Sequence, residues 1–261
     1  MLRLAALESG YAEQVVVRSA SVDVGAGAFV CIVGRNGAGK STLMRTISGM
    51  QPSVGGDSLL EGRSVSAMSA HERAQAIAVV TTERVSSPGL LASDVVALGR
   101  QPYTKWHGQL TEGDREAVRE AMRKSRSLQF SARPFNSLSD GERQRVMIAR
   151  ALAQSAKLMV LDELTAFLDL PGRVEMMALL RRHAEKTGKT VLLSSHDLEL
   201  SLELAGEIWI VHEGQLVHGA PETLIRDGSV QRVFDNEDVS YDPSQRRFTL
   251  VRNSKGQVAS S

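Results

Sequence analysis

The chain holds one cysteine, Cys31, in 261 residues. No internal disulfide can form, and a reducing compartment is implied. Charge of either sign is not in excess: the net value of +1 leaves no overall field that would gather nucleic acid, and none is expected as a partner. No stretch approaches the ~18 apolar residues of a bilayer-spanning helix. The opening Met1-Leu2-Arg3-Leu4-Ala5-Ala6 has no hydrophobic core of signal-peptide length. The six histidines show no metal-ligand cluster. These absences predict a cytosolic protein unless another chain ties it to a membrane. Hydrophobic content of 42% and charged content of 23% are ordinary for a globular domain. The length suits one large α/β domain or such a domain with a helical insert.

What is present is organised around Gly34-Arg35-Asn36-Gly37-Ala38-Gly39-Lys40-Ser41-Thr42. This is G-x-x-x-x-G-K-[ST], the phosphate-binding loop, and its surroundings agree with it. Phe29–Val33 is an apolar run that predicts a buried strand, and Ser41 to Ser48 opens a helix that Gly49 can close. Gly34, Gly37 and Gly39 let successive N–H groups face one anion, and the helix amino end adds its dipole. Lys40 would sit on the β- and γ-phosphates, and the Ser41 hydroxyl is a hard ligand suited to Mg²⁺. The site is therefore one for a nucleoside triphosphate.

Further along, Lys157–Glu163 reads as a buried parallel strand with two carboxylates at its carboxyl end, where ligands bind in such sheets. Asp162 suits the second shell of a Mg²⁺ held by Ser41. Glu163 points toward where a water would attack the γ-phosphate. His196 follows the apolar strand Thr190–Ser194 and falls at the same edge, although a lone histidine is often structural. Leu138-Ser139-Asp140-Gly141-Glu142 heads an amphipathic helix, where Ser139 can be a cap or part of a second anion site. Tyr11 could stack on an adenine ring or pack a hairpin. Cys31, inside the first core strand, is read as a buried apolar residue.

The remaining segments predict the organisation. Residues 2–7 and 14–24 read as antiparallel strands with 8–11 in the turn, and residues 85–135 as a helical insert. Within it, Thr111-x-x-Asp114 caps a helix whose stretch from Lys105 to Arg126 is basic. That face could meet phosphates, solvent or a protein. A helix is expected over 172–187, another after Asp197, a hairpin over 207–217, helical structure over 221–234, and a last strand pair before a frayed tail. The domain boundaries that follow are 1–235 and 236–261.

Taken in order, the glycine loop, Leu-Ser-x-Gly-Glu, the strand with Asp-Glu, Leu168-Asp169 and the strand-end histidine resemble the ATP-binding cassette family over residues 1 to about 235. The resemblance implies a P-loop NTPase core, a mixed sheet with flanking helices, plus an antiparallel β subdomain and an α-helical subdomain insert. It implies ATP and Mg²⁺ as cofactors. Gly34–Thr42 would be Walker A, Leu138–Gln144 the signature, Leu158–Glu163 Walker B and Leu168-Asp169 the D-loop core. Tyr11 would be the adenine-stacking aromatic and His196 the switch histidine. Two copies would sandwich ATP head to tail, with Ser139 and Gly141 acting across the interface. Leu164 stands where the family pattern has proline, Asp140 where it has glycine, and Thr82 or Glu83 where a metal-sensing glutamine is usual. Val95–Arg100, Thr165–Pro171 and His196–Glu199 are similar to cassettes of importers for ferric siderophores, haem or cobalamin. Such cassettes work as peripheral chains at the cytoplasmic face of the bacterial inner membrane, docked on permease subunits served by a binding protein. A soluble cassette acting on ribosomes or DNA usually has two cassettes or a coiled-coil insert, which this chain lacks. A cassette without turnover would need damage at Lys40, Glu163 or His196, and all three are intact.

Overall fold

Two sheets with one helix pressed between them set the plan. The structure, a computed structural model, describes residues 1–11, 14–81, 89–104, 108–164 and 167–251. In chain order the elements are β1 (Leu2–Tyr11), β2 (Gln14–Val24), β3 (Phe29–Val33), α1 (Lys40–Ile47), β4 (Gly55–Leu60), β5 (Arg63–Ser64), α2 (Ala70–Ala76) and β6 (Ile77–Val80). Then come α3 (Ala92–Ala97), α4 (Glu112–Lys124), α5 (Asp140–Gln154), β7 (Leu158–Leu161), α6 (Leu170–Thr187), β8 (Thr190–Ser194) and α7 (Leu198–Leu204). The chain closes with β9 (Glu207–His212), β10 (Gln215–Gly219), α8 (Pro221–Arg226), α9 (Ser229–Phe234), β11 (Val239–Asp242) and β12 (Arg247–Leu250).

The larger sheet has the order β10-β9-β3-β8-β7-β6, with β9, β3, β8, β7 and β6 parallel and β10 an antiparallel edge. Strands covered on both faces must be apolar throughout, and β3, β7 and β8 are buried at every residue. Alternate residues serve opposite layers. Val30, Ile32, Val160 and Leu192 meet Leu43, Met44 and Ile47 of α1 and the leucines of β1. Cys31, Leu161, Leu193 and Ile210 meet α3, α4, α5 and α6. The smaller sheet, β2-β1-β4-β5, lies over α1.

The first strand runs on through residues 8–11, which alternation alone assigns to a turn. Ala6 adopts a φ of +47°, and the pairing register with β2 shifts between Leu4 and Leu7. That bulge puts the later residues out of phase with the earlier ones. The helix expected from residue 172 begins at Leu170, because Asp169 accepts from the Gly172 N–H and Pro171 fits the first turn. Residues 221–234 are helical as expected, in two helices parted at Gly228 with a φ of +76°.

Between β6 and β7 the expected helices are present. Thr111 and Asp114 cap α4 reciprocally, as Ser69 and Glu72 cap α2. The chain past α3 tightens into a 3₁₀ turn from Leu98 to Tyr103 that carries Pro102 within it. Arg100 secures this turn by donating to Asp114 at 2.8 Å and to the Ala153 carbonyl at 2.8 Å. The basic stretch is not a bare cationic face: Arg119 and Arg123 pair with Glu112, Glu116 and Glu120 on the same solvated helix. Lys105 lies outside the described residues.

Candidate nucleotide site

The register of the parallel strands decides which residues meet. Ile32 of β3 pairs with Ser194 of β8, and Leu161 of β7 pairs with Leu193. Gly34, Asp162 and His196 therefore leave the sheet at one edge.

At that edge the loop 34–39 turns back sharply. Gly34 has a φ of +155°, and a β-carbon there would lie 2.4 Å from the Val211 carbonyl oxygen. Gly39 has a φ of +103°, and a β-carbon would lie 2.4 Å from Val16 Cγ1. Neither position admits a larger residue, so the loop can approach its neighbours and a ligand only as glycine. Lys40, 4% exposed, starts α1 and donates from Nζ to the carbonyls of Gly34 at 2.9 Å and Arg35 at 3.3 Å. Burial pulls its pKa below the usual lysine value, while the nearby Glu163 and Asp162 carboxylates oppose that shift.

The second half of the site hangs on a hydroxyl. Ser194 Oγ donates to Asp162 Oδ1 at 2.6 Å and accepts from the Glu163 N–H at 2.8 Å. Asp162 is 4% exposed and its own N–H donates to the Val80 carbonyl at 2.8 Å. Glu163 takes a left-handed φ of +50°, which turns its side chain out from the strand. Its Oε1 lies 2.5 Å from His196 Nε2. Ser194 was legible in the sequence only as the end of a strand. The signal was a hydroxyl closing an otherwise apolar run beside the strand that carries the carboxylates.

A cleft of about 490 Å³ opens above these groups. Asn36, Gly37, Gly39, Lys40, Ser41 and Thr42 form its floor, with Glu163 and His196 on one wall and Tyr11 and Val16 on another. Tyr11 is 55% exposed, and its hydroxyl is 3.4 Å from Thr42 Oγ1. Gly34, Arg35 and Ala38 complete the loop behind the floor, and Asp162 lies beneath it. A lysine, a hydroxyl and a helix amino end on the floor suit phosphate, with a carboxylate and an imidazole in reach of its far end.

Ser139 and Gly141 are not brought to this cleft. Ser139 caps α5, accepting from the Glu142 N–H at 3.3 Å while its own N–H donates to Glu142 Oε2 at 2.8 Å. Gly141 faces Leu168, whose Cδ2 would lie 3.4 Å from an added β-carbon. Thr82 and Glu83 fall outside the described residues. Among the described residues no group of three His, Cys, Asp or Glu side chains could hold a metal by itself.

A family model described as ABC transporter matches residues 17–166. An uncharacterised ABC transporter ATP-binding protein of Methanocaldococcus jannaschii is 36% identical over 97% of this chain and 88% of its own. The iron(3+)-hydroxamate import ATP-binding protein FhuC of Bacillus subtilis is 30% identical over 95% of each chain. Among solved structures, a dimeric ATP-binding cassette in a post-hydrolysis state with ADP and Pi is 25% identical with a TM-score of 0.74, covering 85% of this chain and 99% of that one. The architecture is that of the P-loop NTPase cassette, and the chain belongs to the ABC transporter family as an ATP-binding, ATP-hydrolysing member.

Proposed function

We propose that this chain energises an importer, binding ATP between two copies of itself and hydrolysing it to reset membrane subunits that carry a metal chelate. One observation carries the reading: Lys40, Glu163 and His196 converge on a single cleft at the end of three strands. The likeness to the hydroxamate importer chain over 95% of each supports a ferric siderophore as cargo, and haem and cobalamin are the other members of the class.

In this reading the loop 34–42 wraps the phosphates, Lys40 gives up its two carbonyl partners for the β- and γ-oxygens, and Tyr11 stacks on the adenine. A desolvated lysine with no carboxylate in contact among the described residues is well matched to an incoming anion. Ser41 would hold Mg²⁺ with the phosphate oxygens and Asp162 would support the ion from its second shell; few protein ligands is the set that this ion usually keeps. The ion would neutralise charge on the γ-phosphate. Glu163 orients and deprotonates the attacking water, and His196, bonded to that carboxylate, fixes its aim. Glu83, or Thr82 beside it, would sense the metal through a bound water.

Ser139 and Gly141 stand apart from the chain's own cleft, which supports their acting on the nucleotide of a second copy. Residues 1–235 form the cassette, with 85–135 as the helical insert that docks on the permease. The chain would work at the cytoplasmic face of the membrane as a peripheral subunit, fed indirectly by a substrate-binding protein. No described helix is long and apolar enough to cross a membrane, so the bilayer-spanning part belongs to other chains in this reading. The test is uptake by proteoliposomes holding this chain with its co-purified membrane subunits. ATP-dependent entry of a ferric chelate, with haem and cobalamin as competing cargoes, is expected; ATP hydrolysis with none of the three transported would overturn the cargo class.

A further inference from the structure

The phosphate-binding loop is held from behind by the segment that leads into the hairpin β11–β12. Arg35 Nη2 donates to the main-chain carbonyl of Asp235 at 3.1 Å, 200 residues away. The Arg35 carbonyl in turn accepts from the Ala38 N–H at 3.1 Å and from Lys40 Nζ at 3.3 Å. Arg35 is thus tied at its side chain to the terminal segment and at its backbone to the lysine cage.

Asp235 is itself firmly placed. Its N–H donates to the Gln231 carbonyl at 2.9 Å. Its carboxylate accepts from the Tyr241 N–H and the Ser240 hydroxyl, both at 2.7 Å, so the side chain anchors β11. Tyr241 is 2% exposed in the main core and meets the Phe248 ring edge-on at 5.4 Å. Across the hairpin, the Phe248 N–H donates to Glu199 Oε1 at 2.8 Å. Glu199 lies in the first turn of α7, the helix that Asp197 caps immediately after His196. The hairpin therefore touches the supports of both loops that line the cleft.

From this geometry we propose that Arg35 is a positioning residue, through which the terminal hairpin β11–β12 holds the phosphate-binding loop in the shape that receives ATP. The proposal rests on reading that loop as the ATP site. A loop with three glycines loses much backbone freedom on gripping a ligand. Fixing one of its residues beforehand lowers that ordering cost and favours binding without altering the chemical step. Arginine suits the task because its guanidinium is always charged and reaches far, and a carbonyl is a strong acceptor for it.

The experiment is steady-state ATPase and ADP calorimetry on the full chain, with melting temperatures as a control. Arg35→Ala should raise the KM for ATP about five-fold, the worth of one net hydrogen bond, with kcat within about two-fold. Arg35→Lys should recover most of the affinity. Ser240→Ala, distant from the cleft, should raise KM about two-fold alone by loosening Asp235, and add nothing in the Arg35→Ala background. A wild-type KM in Arg35→Ala, a fall in kcat and melting temperature with KM unmoved, or effects of the two variants that simply multiply would each overturn the proposal. A wild-type chain binding neither ATP nor ADP would instead refute the nucleotide reading beneath it.

Discussion

Nε2 of His196 and Oε1 of Glu163 stand 2.5 Å apart, on loops that leave two neighbouring parallel strands. The histidine thus fixes the direction of that carboxylate within the cleft. Glu163→Gln should leave ATP binding within a few-fold of wild type and lower turnover by about 10²–10⁴, the usual scale for losing a general base. Binding and hydrolysis measured on one preparation decide it; near-normal turnover would remove Glu163 from the role.

Ser194 is buried and bonds both Asp162 and Glu163. Ser194→Ala would strand a buried carboxylate oxygen and a peptide N–H. A stability loss of about 1–3 kcal/mol is expected, together with a lower kcat. Urea unfolding gives the first and ATPase assays the second. Ser194→Thr, which keeps the hydroxyl, should recover part of both.

The role of the second copy separates cleanly from the chemistry. In a Glu163→Gln background, ATP and Mg²⁺ should shift the protein from monomer toward dimer in sedimentation. Adding Ser139→Arg should block that shift sterically, although each chain keeps its own loop 34–42. Equal dimerisation with and without Ser139→Arg would move the interface elsewhere.

Burial pushes the Cys31 thiol up to about 12, outweighing the hydrogen bond from Ser201 that draws it down. The folded chain should resist thiol reagents at pH 8 and react with one equivalent only when unfolded. The folded state keeps the proton that the unfolded state releases above pH 9, so this group makes stability fall from about pH 9 toward 12. Cys31→Ala should lessen that fall in denaturation series.

His183 behaves in the opposite sense. Burial lowers it to about 4, with Lys189 and Lys124 adding repulsion, and its Nε2 has no hydrogen-bond partner among the described residues. The folded state refuses a proton that the unfolded state accepts below about pH 6.5, so stability is lost as pH falls from there toward 4. Urea midpoints at pH 7 and pH 5 should differ less in His183→Leu than in wild type. An unchanged difference would assign the acid sensitivity to other groups.

The parts of the site legible in the sequence were those that phosphate chemistry fixes locally. Three glycines, a lysine and a hydroxyl must fall within one turn, and carboxylates must end a buried strand. Lys40, Glu163 and His196 could be named before any fold was known, because each sits beside its own strand signal. Ser194 was not legible as a bridge, since hydrogen bonds between neighbouring strands leave no mark in either strand alone. The Arg35–Asp235 contact was still further from view, being 200 residues long. Tyr241 was hidden for another reason: short strands near the end of a chain look like surface until their aromatic side chain is seen inside the core. The extent of β1 was masked by the bulge at Ala6, which breaks the period that alternation depends on.

The neighbours of β3 in the sheet are β8 and β9, strands drawn from residues 190–194 and 207–212. During synthesis the phosphate loop therefore leaves the ribosome with neither flanking strand yet made. More than half of the chain must follow before β3 can be enclosed. Non-local pairing of this kind is slow to form, and an unpaired apolar strand such as Phe29–Val33 invites intermolecular contacts meanwhile. The segment that defines this protein most clearly when its sequence is read is thus one whose place in the sheet waits on residues 190–212.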